Sequence, residues 1–197
     1  VSALQCPTTL VVARHGEAAY ESALWGDHGG SLTALGRRQA TQLGESLRGR
    51  RIAHVWCSTM ARAVQTAELA AAVLGVEVTT REGLREFGVG EHAGVPRAED
   101  PFVETYLGWR EGRVDTRVPG GETGREIAER VTAVLREVAD AHPGETVLVV
   151  SHGGAIGLGV PAAARLLVEQ RRLGNGDTVE VTADAEGWAC TRWGPDA

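Results

Sequence analysis

Two stretches decide the fold: Thr9-Leu10-Val11-Val12-Ala13-Arg14-His15-Gly16 near the start of the chain, and Thr146-Val147-Leu148-Val149-Val150-Ser151-His152-Gly153 far downstream. Each is a continuous aliphatic run, as expected of a strand buried on both faces of a parallel sheet, where neither face calls for alternating polar residues. Each ends in His-Gly. Around them strand and helix signals alternate. Thr33 can cap a helix carrying Leu35, Ala40, Leu43 and Leu47. His54–Cys57 reads as a second strand feeding a helix from about Thr59 to Leu74, with Ala63, Ala67, Ala71 and Leu74 on one side and Gly75 as its stop. Val76–Thr80 reads as a third strand. The stretch from Gly83 to Gly121 is loop-like, with one short helix around Ala98 to Trp109. Thr123 and Glu126 form a capping box ahead of Ile127, Val131, Val134 and Val138, and Pro143-Gly144 closes that helix. After the strand Thr146–Ser151, a helix through about Gln170 and two strands, near Thr178–Thr182 and Trp188–Trp193, complete the chain. The last is read as an edge, open to another subunit unless Trp188 and Trp193 are core. The expected class is α/β: a three-layer α/β/α sandwich around a mainly parallel central sheet.

At 197 residues the chain is expected to be one domain, 1–197, with no linker. Charged residues are 23% and hydrophobic ones 43%, which excludes a disordered chain or a coiled coil. A formal charge of −6 argues against a nucleic-acid grip, which needs a cationic face. No apolar run approaches the roughly 18 residues of a membrane helix, and Val1 to Pro7 lacks a charged start followed by an apolar block, so no secretory signal is expected. Cys6, Cys57 and Cys190 show no C-x-x-C spacing. Neither H-x-H nor H-E-x-x-H occurs. The expectation is a cytoplasmic protein with reduced thiols, no metal, no cofactor, and no nucleic-acid or membrane partner.

In open α/β sheets the functional crevice lies beyond the carboxyl ends of the strands. The first strand delivers Arg14-His15-Gly16 there, the second delivers Ser58 with Arg62 one turn into its helix, and the fourth delivers His152-Gly153. Two guanidiniums match the charge of one phosphate monoester, about −1.5 to −2 near neutral pH, and each can bind its oxygens bidentately. Glycines after the histidines let backbone N–H groups approach an anion. One neutral imidazole can attack phosphorus in line while the other donates to a non-bridging oxygen. A carboxylic acid must protonate the leaving alkoxide, and spacing does not select which one. His28, His54, His92 and His142 read as ordinary core or surface residues.

Taken together, five segments resemble the histidine phosphatase superfamily, with its phosphoglycerate-mutase-like fold: Arg14-His15-Gly16-Glu17; Leu32-Thr33-x-x-Gly36-x-x-Gln39-Ala40; Ser58 with Arg62-Ala63-x-Gln65-Thr66-Ala67; Leu84-Arg85-Glu86 leading to Gly90 and Gly94; and Pro119-Gly120-Gly121-Glu122 followed by Val150-Ser151-His152-Gly153. By position, the resemblance implies that His15 is a nucleophile forming a phosphohistidine, that Arg14, Arg62 and His152 hold the phosphoryl group with help from Gly16 and Gly153, and that Glu86 is the proton donor. Family members usually continue R-H-G-E-T-x-x-N, but here Ala18 and Glu21 take the threonine and asparagine positions. An anionic Glu21 beside the substrate would have to point away or pair with a lid arginine. Gly29 and Ser31 replace the usual aspartate and proline, and His92 and Ala93 the usual tryptophan and glutamate. The implied activity is metal-independent hydrolysis of a small phosphorylated metabolite. Alternatives are a phosphoglycerate mutase, a phosphohistidine protein phosphatase, or an inactive regulatory homologue. Mutases of the family carry a long insertion over the site, whereas here only Phe87 to Pro119 intervenes. A lid-like insertion at about 95–119 is expected to set specificity through Arg110 and Arg113.

Overall fold

The computed structural model describes residues 6–27 and 29–194, so Val1–Gln5 of the N-terminal stretch and His28 lie outside the described residues. Seven strands form one sheet: β1 (Thr8–Arg14), β4 (Ile52–Ser58), β5 (Val78–Arg81), β6 (Thr146–Ser151), β7 (Arg165–Leu166), β8 (Thr178–Asp184) and β9 (Gly187–Trp193), in the order β5-β4-β6-β1-β8-β9-β7. The β5-β4-β6-β1 half is parallel, and β8 then runs antiparallel to both β1 and β9. The mainly parallel expectation holds. A two-stranded ribbon, β2 (Ala18–Ala19) with β3 (Ser31–Leu32), sits apart from the main sheet; its strands are too short to register in sequence periodicity.

The aliphatic runs are buried on both faces, as their composition predicts. Leu10 and Val12 of β1, with Val147 and Val149 of β6, pack toward α4 (Gly124–Ala141) and α5 (Gly153–Ala163), meeting Ile127, Leu135 and Ile156. Val11, Ala13, Leu148 and Val150 pack the other way, toward α1 (Ala34–Leu47) and α2 (Ala61–Leu74), meeting Leu43, Ala63 and Ala67. This is the three-layer sandwich. Fully burying an aliphatic side chain stabilises by roughly 1.5–3 kcal/mol, so these central strands are the main anchor of the fold. Their register also sets the chemistry: Arg14 pairs with Ser151, and the residues that follow, His15 and His152, leave the sheet side by side.

Thr33 caps α1 by accepting from Gly36 N at 3.0 Å, and Thr123 with Glu126 completes the capping box of α4. Several expectations shift. Leu35 is exposed, because α1 buries Gly36, Ala40, Leu43, Gly44 and Leu47. The short helix of the 95–119 segment, α3, spans only Val103–Arg110, after Asp100 caps the amide of Phe102 at 3.1 Å. α5 stops at Ala163 rather than near Gln170. Pro161 cannot donate to Gly157 O, which instead accepts from Gln170 Nε2 at 2.7 Å, and the chain turns extended at Ala164 to form β7. That added strand pairs with β9, so the Trp188–Trp193 strand is not an open edge, and Trp193 is core.

Candidate active site

The two His-Gly turns meet. The rings of His15 and His152 stand 5.1 Å apart between centroids, tilted by 59°. His15 Nδ1 lies 2.7 Å from Gly16 O, and Arg62 Nε lies 3.0 Å from His15 Nε2. A guanidinium can only donate, so Nε2 accepts, and the hydrogen of the neutral ring is on Nδ1, given to Gly16 O. Burial, then the charge of Arg62 and that of Arg14, push His15 from 6.5 to about 3, against the raising effect of the Gly16 bond. The result is a neutral imidazole with its Nε2 lone pair aimed at Arg62.

His152 is fully buried, and burial, then Arg62, His15, Arg130 and Arg14, hold it well below the ordinary imidazole range. Its Nε2 lies 2.8 Å from Ser58 Oγ, which already accepts from Met60 N at 3.2 Å. Nε2 is the one acceptor paired with the Ser58 O–H among the described residues, which assigns that hydrogen to the Ser58–Nε2 bond and the hydrogen of the His152 ring to Nδ1. That Nδ1 is buried without a partner, as are Arg14 Nε and Arg62 Nη1. Unpaired buried donors are costly, and three around one imidazole describe a cradle that an anion would satisfy. Arg62 has room in its place because residue 29 is glycine: a Cβ there would clash with Arg62 Nη1.

The loop between β7 and β8 clasps the same strand end. Arg14 Nη1 donates to Leu173 O at 2.7 Å, and Asn175 Nδ2 donates to His15 O at 2.9 Å. Glu86 follows a single-turn 3-10 helix, Glu82–Leu84, and its carboxylate accepts from Gly154 N at 3.0 Å and Ala155 N at 2.9 Å, at the start of α5. The carboxylate is thereby tied to the helix that His152 caps. The two buried thiols are poor nucleophiles, since burial pushes that of Cys57 up to about 12 and that of Cys190 up to about 11.

Arg14, His15, Arg62, Glu86 and Gly153 line one cavity of about 1020 Å³, together with Arg110. Four expected contacts do not, the first being His152, which is fully buried and lies outside the lining. Gly16 spends its N–H on Thr66 Oγ1 at 3.0 Å and lies outside the lining. Glu21 is exposed, sits in a bend just past β2 and lies outside the lining, whereas Tyr20 before it lines the cavity; Glu21 forms no ion pair among the described residues, with an arginine of the 95–119 segment or otherwise. Arg113 pairs with Glu111 at 2.7 Å beyond the end of α3, also outside the lining.

Apart from Arg110, sequence reasoning missed the outer wall. Arg97 stacks over Tyr20 at 3.9 Å and over Trp25 at 4.5 Å, and Trp25 meets Phe102 edge to face. Phe87 packs against both Phe102 and Trp109, so the 95–119 segment is bound to the body by aromatic contacts while presenting Arg97, Tyr106 and Arg110 to the cavity. Arg171 and Arg172 face it from the loop after β7. None of these lies in a recognisable motif. Their only signal was the arginine content of two loops.

A model of the histidine phosphatase superfamily (branch 1) matches residues 10–196. "Probable phosphoglycerate mutase GpmB" of Salmonella choleraesuis (strain SC-B67) is 34% identical over 196 residues, covering 93% of this chain and 89% of that protein. Among solved structures, mycobacterial glucosyl-3-phosphoglycerate phosphatase is similar with a TM-score of 0.79 and 26% identity, over 96% of this chain and all of that one. A protein described as mycobacterial hydrolase 1 is similar with a TM-score of 0.80 and 27% identity, over 97% of this chain and all of that one.

Proposed function

The chain belongs to the histidine phosphatase superfamily, branch 1, and on that premise we propose that it is a phosphomonoester hydrolase working through a phosphohistidine on His15. The observation that carries this reading is the neutral His15 ring, its Nε2 lone pair held by Arg62 at 3.0 Å beside three buried donors that lack partners. His15 Nε2 attacks phosphorus as the ester P–O bond breaks, and Nδ1–H, bound to Gly16 O, carries the developing positive charge of the ring. Arg14, Arg62 and His152 Nδ1–H hold the non-bridging oxygens. Glu86 gives its proton to the leaving alkoxide, and the resulting carboxylate takes a proton from the water that cleaves the P–N bond. The two guanidiniums balance the phosphoryl charge without a metal or cofactor.

The substrate class follows from the rest of the wall. Arg14 and Arg62 are committed to the phosphoryl group, and Arg85, Arg130 and Arg171 are paired with Glu82, Glu122 and Glu169, which leaves Arg97, Arg110 and Arg172 facing a cavity larger than one phosphoryl group needs. Such a lining suits a small metabolite with a second acidic group. The mycobacterial relative's glucosyl-3-phosphoglycerate is of this kind. A second reading, phosphoglycerate mutase, is favoured by the 34% identical relative; against it stands the short cover, since only Phe87 to Pro119 separates Glu86 from the Gly-Gly-Glu segment.

The deciding experiment incubates the purified protein with phosphoglycerates and a panel of phosphorylated acids, and measures inorganic phosphate and isomerised ester together. Hydrolysis predicts free phosphate, an acid-labile phosphoenzyme on rapid quench, and loss of both in His15→Ala. Isomer without free phosphate would establish the mutase, and equal slow release by wild type and His15→Ala would remove the enzyme altogether.

A further inference from the structure

We infer that Arg130, locked to Glu122, is the positioning residue for the acid Glu86, an inference that rests on the phosphatase reading above. Arg130 projects from α4, and its Nη1 donates to Gly83 O at 2.9 Å and to Arg85 O at 2.6 Å. The carbonyl between those two, Leu84 O, accepts from Ser151 Oγ at 2.7 Å. Three successive carbonyls immediately before Glu86 are thus tied down, two from α4 and one from the strand end that delivers His152. Because this turn belongs to no sheet ladder, side-chain donors are what hold its course.

Glu122 fixes the guanidinium that does this: Nε to Oε1 is 2.6 Å and Nη2 to Oε2 is 3.0 Å, a two-point pair with side chains only 23% and 32% exposed. Four of the five guanidinium N–H groups are engaged in this way, which leaves Arg130, although it lines the cavity, one Nη2 N–H beyond the bracket. Lysine, a point charge, cannot hold two carbonyls and a carboxylate in one plane. The bracket aims Glu86 at the start of α5, where Gly154 N and Ala155 N receive its carboxylate. Freed from Arg130, the 83–86 turn swings, and the acid moves off the position of the leaving oxygen while His15, Arg14 and Arg62 stay put.

The test exploits what an acid does. A phenolate leaves without a proton, whereas an alkoxide needs one. kcat/KM, which reports phosphorylation of the enzyme, is measured for p-nitrophenyl phosphate and for an alkyl phosphate in wild type, Glu86→Gln, Arg130→Lys and Glu122→Gln, with far-UV circular dichroism and melting to select folded variants. Arg130→Lys and Glu122→Gln are expected to lose about 10²-fold on the alkyl ester and no more than about threefold on the aryl ester, following the pattern of Glu86→Gln, which loses more on the alkyl than on the aryl ester. If Arg130→Lys fails to fold, Glu122→Gln, which keeps the arginine, carries the measurement. Equal losses on both esters, or none, in the bracket variants overturn the inference. If Glu86→Gln itself shows no split between esters, the acid assignment falls, and the positioning role falls with it.

Discussion

Arg62 Nε donates into Nε2 of His15 at 3.0 Å, the atom that bonds the phosphoryl group in the proposed mechanism. The guanidinium therefore holds the nucleophile in its reactive tautomer before substrate arrives, and then passes its hydrogen bond from nitrogen to a phosphoryl oxygen. Both jobs depend on geometry as well as charge. Arg62→Lys is expected to lower kcat/KM by roughly 10²–10³-fold on aryl and alkyl esters alike, the scale of losing one preorganised donor. Retention of wild-type rate in the lysine variant would show that charge alone suffices.

Acid should destabilise the fold before any carboxylate is involved. An unfolded histidine takes up a proton near 6.5, while folded His15 does so only near about 3, so between those values the unfolded chain binds more protons. The stability held by the neutral ring is complete above pH 6.5 and is lost as pH falls, at about 1.4 kcal/mol per pH unit. His152 and His54, also lowered by burial, act in the same direction. Denaturant midpoints are expected to fall from pH 6.5 to 4.5, with a shallower slope in His15→Gln. A flat profile over that window would contradict the buried neutral pair.

Gly154 leaves room for the acid. A Cβ there would lie 2.6 Å from Glu86 Oε1 and 2.7 Å from Phe87 Cε1. Gly154→Ala is expected to lower kcat/KM on an alkyl ester by about 10²-fold through loss of proton donation, and to destabilise the fold by only about 1–3 kcal/mol. Steady-state kinetics beside a melting curve check both halves; a stability loss with full activity would place the acid elsewhere.

The two lid arginines should part company. Arg110 faces the cavity and Arg113 is spent on Glu111. A charge-assisted hydrogen bond contributes about 1.5–3 kcal/mol, so Arg110→Ala should raise KM roughly tenfold or more for esters with a second acidic group and little for a plain aryl phosphate. Arg113→Ala should leave both unchanged. Equal effects of the two variants on a phosphorylated-acid panel would remove Arg110 from recognition.

Much of this molecule is legible in its residues. The runs Leu10–Ala13 and Val147–Val150 admit few readings besides a doubly covered parallel strand, and the capping box Thr123–Glu126 marks its helix without help from tertiary context. The apolar pattern of α5 continues past Pro161, and what ends the helix at Ala163 is the turn of Ala164 into the extended chain that leads to β7. β7 is two residues long and exists because β9 offers it an unpaired edge. Such an edge has no sequence signature.

The site divides along the same line. His15, His152, Arg14 and Arg62 could be named in advance because each is attached at a strand end or one turn beyond, where main-chain geometry dictates direction. The place of Tyr20 in the cavity wall and of Glu21 outside it, the Arg97 stack, and the fork of Arg130 over Gly83 and Arg85 join residues far apart along the chain or lying in loops. Periodicity and local hydrogen bonding carry no information about which loop side chain another will meet. Burial pattern alone determined the layers and the location of the chemistry; packing between loops decided which neighbouring groups can aim the acid and take the rest of the substrate.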